Sequence, residues 1–215
     1  MRRQEYETVA TLSTTTVAIL VIIVLIPSVV LHEVAHAFAA DVFGDDTARR
    51  LGRVSINPLR HVDPIGTLLV PIVMVILTPF VIAWAKPVPV LPSRLRSPRR
   101  HSLMVALAGP FTNFALAGLA IGVFQIVRPV RDSILWGVLA LMTIVNVVLG
   151  IFNLLPIPPL DGSAIIEFVL PRRALHTWYR FRPYAIVLVI GFLVLGRGLL
   201  DPVSQWAFDV WDYQQ

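Results

Sequence analysis

Long uncharged stretches alternate with short basic ones along this chain. Thr8 to Leu31 and Ile65 to Ala85 carry no charge, and neither do Ser102 to Val127 and Ser133 to Leu160. An α-helix crosses the hydrocarbon of a bilayer in about 20 apolar residues, and each of these runs is long enough. Pro183 to Gly196 is shorter, and Gly198 to Leu200 extends it past Arg197. The pattern predicts a first helix over about Thr11 to Phe43, with Pro27 as a kink point. It predicts two more over about His101 to Val127 and Ser133 to Leu155, antiparallel because "RPVRD" between them is tight. A last helix begins near Pro183, after a basic loop from Arg172 to Arg182. "LLPIPPLDG" cannot be regular helix, because Pro156, Pro158 and Pro159 remove donors and block the turn. Arg53 to Ile56 has β-like character between turn residues, and "KPVPVLPSRLRSPRR" reads as extended chain or loop.

Charge changes the reading of Ile65 to Ala85. Arg49, Arg50, Arg53 and Arg60 precede it; Lys86, Arg94, Arg96, Arg99 and Arg100 follow it. The positive-inside rule places both flanks in the cytoplasm. The run, interrupted by Pro71 and Pro79, is then a re-entrant hairpin rather than a crossing, as is allowed where protein or a wet cavity surrounds the backbone. The alternative is a plain crossing. The expected fold is therefore an all-α polytopic membrane protein. It has four to five transmembrane helices, a re-entrant segment and short membrane-associated β-strands. It is expected to form one domain over 1–215, with a core at 11–162 and a C-terminal helix and tail at 183–215. Trp206, Trp211 and Tyr213 in that tail suit an interfacial belt. Thr8 to Leu31 is too long for a signal-peptide core and has no small-residue cleavage site, so it is expected to stay in the mature chain.

Composition agrees. Of 215 residues, 56% are hydrophobic and 14% charged, which excludes an ordinary soluble domain. There is no cysteine, which excludes disulfides and thiolate metal ligands. The net charge of +5 resides in the loops, where it sets topology and can touch anionic headgroups. No basic segment is interleaved with aromatics, so no nucleic-acid partner is expected.

The chemistry begins at "VVLHEVAHAFAADVFG", Val29 to Gly44. His32 and His36 rise about 6 Å apart on a helix and face nearly the same way. Two imidazoles so placed can hold one zinc ion, and Glu33 is close enough to reach a water on it as general base, the HExxH arrangement. Ionisable groups in a membrane run are costly and point to function. A catalytic zinc site takes three protein ligands plus water. Asp45 and Asp46 lie beyond Gly44 in loop. Asp161 ends an uncharged stretch that prolines could bend back into the bilayer, and it is the better third ligand.

"HEVAH", "AGPFTNF" and "FNLLPIPPLDG" together resemble the site-2 protease family of intramembrane zinc metalloproteases, in the family's order. The likeness covers about Val29 to Gly162, with "GRVSINPLRHVDPIG" and "WAKPVPV" resembling a compact branch without PDZ or CBS domains. It implies that His32, His36 and Asp161 bind one Zn2+ and that Glu33 activates water. It also implies that Asn153, matching the asparagine of NxxPxPxLDG, contacts the substrate backbone or the oxyanion. The implied substrate is a transmembrane protein or peptide, and the implied location a prokaryotic inner membrane. Ile65 to Ala85 lengthens the interval after HEVAH relative to the family pattern.

Other readings remain. Asn153 could be an interhelical hydrogen-bonding residue, while Gly109, Pro110 and Asn113 would shape a close helix approach. His61, His101 and His176 are expected to be solvated or interfacial. An ion-coupled transporter using the same polar residues would show internal repeats, and none is seen. A non-catalytic membrane adaptor would not need the full set of ligands and Glu33.

Overall fold

A computed structural model describes residues 14–63, 86–131, 133–185 and 187. Among the described residues, three helices are long and apolar enough to span a membrane: α1 (Thr14–Val42), α3 (Pro98–Val127) and α4 (Ile134–Asn153). Between the first two lies a single turn of helix, α2 (Thr47–Arg50). After α4 come two short helices, α5 (Ser163–Val169) and α6 (Arg172–Phe181). Ile19, Ile22, Ile23 and Ile26 on α1, and Phe111, Leu119 and Ile126 on α3, are large apolar side chains left exposed. Such faces suit lipid rather than water. The chain is an integral, multi-pass membrane protein.

Contacts group the chain into two units, 1–28 with 110–215, and 29–109. Within the first, α3 and α4 run antiparallel, as their tight linker predicts. Phe114 packs on Gly150, while Ala120 and Phe124 share a core cluster with Leu139 and Ala140, so residue numbers rise on one helix as they fall on the other. Gly150 is needed there, because a β-carbon would stand 2.7 Å from the Phe114 ring. Small residues let membrane helices approach in this way. Ser133 starts α4, its hydroxyl accepting the Trp136 N–H at 3.2 Å. A buried chain of polar groups links three helices. The Asn113 amide donates to Asn146 Oδ1 (2.8 Å), Asn146 donates to Ser28 Oγ (2.9 Å), and Ser28 donates to Val24 O (2.8 Å).

In the second unit, Ala40, Leu95 and Val105 form a small core with Ala39, Phe43 and Val90 around it. The end of α1 is closed by Gly44, whose φ of 109° suits glycine. Asp45 N–H bonds Ala40 O and Gly44 N–H bonds Asp41 O, a Schellman stop. The chain then turns through α2, and 86–91 have no regular secondary structure.

Three expectations change. The segments expected to contribute short strands form none among the described residues. Arg53 to Ile56 is irregular, and Pro87 and Pro89 remove donors that a ladder at 86–91 would use. Arg172 to Arg182 is not a loop but mostly the helix α6. Its arginines lie among Leu175, Trp178 and Phe181, so charge density hid an amphipathic helix. His61 is not solvated; it is 3% exposed and bonds Ser55 O through Nε2 at 2.8 Å. The expected re-entrant run, the helix after Pro183 and the aromatic tail lie largely or wholly outside the described residues, as does the start of the first helix.

Candidate metal centre

The centre starts from one turn of α1. His32 and His36 are four residues apart, and their Nε2 atoms stand 3.0 Å from each other. The rings meet edge to face at 87°, centroids 4.6 Å apart. Two nitrogens on a tetrahedral zinc would be about 3.3 Å apart, given Zn–N near 2.0–2.1 Å. His36 Nδ1 lies 2.8 Å from Val105 O. A carbonyl only accepts, so Nδ1 carries the proton and Nε2 is left with its lone pair towards His32. This is the outer bond that orients a ligating histidine. Both histidines are buried.

Room for the rings comes from α3. A β-carbon on Gly109 would stand 2.5 Å from His36 Nε2 and 2.6 Å from both Cε1 and Nε2 of His32. The glycine of "AGPFTNF" thus gives way to the imidazoles themselves, which is more specific than the expected close helix approach.

Asp161 sits at the end of the proline-rich loop that follows α4. Gly162 N–H bonds Asn153 O at 2.7 Å and closes that loop on the end of its own helix. A β-carbon on Gly162 would be 2.1 Å from Leu154 O, so only glycine lets the chain pass there. Asp161 itself is half-buried, a carboxylate held at the end of a loop that its own helix closes. Two imidazole nitrogens and a carboxylate oxygen are a donor set that suits zinc.

Glu33 is half-buried, and its Oε2 accepts the Val88 N–H at 3.1 Å. Asn153 donates to Leu149 O at 3.0 Å, one turn back in its own helix. Asp45, at the end of α1, is fully buried. Burial raises its carboxyl, but the Thr47 hydroxyl, the N–H groups of Leu91 and Thr47, and the nearby Arg94 charge outweigh that and hold it below the ordinary carboxylate range.

Sequence reading passed over Val88 and Asn146. The signal for Asn146 was present, since a polar side chain in the middle of an otherwise apolar span needs a partner. The contact of Val88 with Glu33 had no signal in spacing.

Comparison with known proteins follows the same lines. A sequence model of "Peptidase family M50" matches residues 121–196, which include Asn153 and Asp161. The candidate zinc metalloprotease YwhC of Bacillus subtilis is 37% identical over 191 residues, 85% of this chain and 84% of that protein. The candidate zinc metalloprotease Rip2 of Mycolicibacterium smegmatis is 32% identical over 205 residues, 95% of this chain and 76% of that protein. Rip2 of Mycobacterium tuberculosis is 31% identical over 206 residues, 95% of this chain and 78% of that protein. No solved structure matches the chain.

Proposed function

This chain belongs to peptidase family M50, zinc metalloproteases of the site-2 protease type, and from that premise we propose that it cleaves membrane-spanning proteins at a single zinc ion. In this reading His32, His36 and Asp161 hold the ion and Glu33 is the general base. The observation that carries it is the pair of imidazoles on a span-length apolar helix, their Nε2 atoms 3.0 Å apart. Bound zinc would supply a Lewis acid that polarises the scissile carbonyl and lowers the pKa of a water towards ~7.

The rest falls to the chain. Val105 O keeps the His36 tautomer that offers Nε2. Glu33 takes a proton from the attacking water through Oε1 and passes it to the leaving amine. Asn153 contacts the substrate backbone near the reacting carbonyl. The substrate must be locally unwound, because a helix hides its carbonyls in i to i−4 bonds. The bacterial sources of YwhC and Rip2 support a prokaryotic cell membrane as the location.

The test is cleavage of a transmembrane substrate by the purified protein in lipid. Glu33→Gln should keep zinc and lose cleavage by about a hundred- to ten-thousandfold, as a removed general base does. Retained turnover would remove Glu33 from the role.

A further inference from the structure

Glu33 has a partner that the chemistry above does not use. The Val88 N–H donates to its Oε2 at 3.1 Å, across 55 positions of sequence. The surroundings of Val88 make this bond selective. Pro87 and Pro89 flank it in "KPVPV", and neither has an N–H. Val88 is therefore the one backbone donor between Lys86 and Val90.

The segment is also pegged at intervals. Lys86 N–H bonds His61 O at 2.9 Å, Leu91 N–H bonds Asp45 Oδ2 at 2.5 Å, and Arg96 N–H bonds Phe43 O at 3.0 Å. Two of these pegs lie at the end of α1, the helix that carries Glu33. The prolines further restrict the backbone to extended conformations. A stiff strap pinned to the terminal turn of α1 thus delivers one amide to the carboxylate.

From this geometry we infer that the Val88 amide positions Glu33 for proton transfer, which makes Val88 a positioning residue through its backbone. The inference rests on Glu33 being the base. A half-buried carboxylate in a membrane helix needs a donor. A lysine or arginine would satisfy it, but its charge would oppose a divalent cation bound beside it. An amide satisfies one oxygen without adding charge and leaves the other to take the proton. It also fixes the carboxylate's rotation, which a long side chain held only by its own helix lacks.

Two measurements test this. The first replaces Val88 by its α-hydroxy acid, turning the amide into an ester and deleting only the N–H. The expected result is a fall in kcat of about tenfold, with KM and zinc content unchanged. An unchanged kcat would overturn the inference while leaving Glu33→Gln to judge the base itself. The second is hydrogen exchange on zinc-free protein, where any deuterium between Lys86 and Val90 reports Val88 alone. Glu33→Ala should speed that exchange about tenfold or more, while Glu33→Gln, which keeps an acceptor oxygen, should preserve protection. Equal exchange in wild type and Glu33→Ala would show that the bond does not form, whatever the enzyme's activity.

Discussion

Gly109 lies against His36 with no room for a side-chain atom, since a β-carbon would stand 2.5 Å from Nε2 and nearly as close to His32. Alanine favours a helix interior by about 1 kcal/mol over glycine, so Gly109→Ala should not weaken α3 itself. Its methyl must push the rings aside. Zinc affinity is expected to fall about tenfold or more, with thermal stability of the zinc-free protein nearly unchanged. Titration with a competing chelator measures the first and a melting curve the second. Unaltered affinity would mean that the rings have slack.

Asn146 makes three bonds: it accepts from Asn113 and donates to Ser28 Oγ and to Met142 O. Leucine is close in size and makes none. Side-chain hydrogen bonds in membrane proteins average about 0.6 kcal/mol, with a maximum near 1.7, so Asn146→Leu should cost roughly 1–3 kcal/mol. Reversible unfolding in mixed micelles reads this directly. A variant as stable as the wild type would show that the buried chain contributes no net stability.

Asp45 bears on pH. Its carboxyl is held low in the folded protein, so its ionised form stabilises the fold above the unfolded pKa of about 3.9. That contribution is lost as pH falls through the lower folded value. Asp45→Asn places an amide where Leu91 or Thr47 donates, and should cost roughly 1–3 kcal/mol at neutral pH. The gap between wild type and variant is expected to shrink below about pH 4. Melting temperatures from pH 3 to 7 give the comparison. A gap constant across that range would mean that the carboxylate's charge is not what ties Leu91 to the end of α1.

What could be read in advance follows from the range of the forces involved. Charge-free runs gave α1, α3 and α4 within a few residues, because lipid imposes a length and an absence of charge that local sequence must obey. His32 and His36 were legible because helical spacing alone aligns them. Asp161 stands out in the sequence as an expensive carboxylate behind a proline-broken segment, and its ligation of zinc is part of the proposal. Gly109 was only half legible. Its smallness predicted a close approach, but what approaches it depends on the pairing of α1 and α3. The Glu33–Val88 bond depends on where a strap pinned by Asp45, His61 and Phe43 comes to rest, and no periodicity encodes that. Helix α6 was missed because its arginines suggested loop, although their spacing fits an amphipathic face.

The central claim is that His32, His36 and Asp161 together hold one zinc ion. Metal content of the purified chain, measured by mass spectrometry beside Glu33→Gln and Asp161→Ala, tests it most directly. One zinc per chain is expected in the wild type and in Glu33→Gln, with a loss of most of it in Asp161→Ala. Full zinc in Asp161→Ala would contradict the claim, because some other group would then complete the coordination begun by the two histidines.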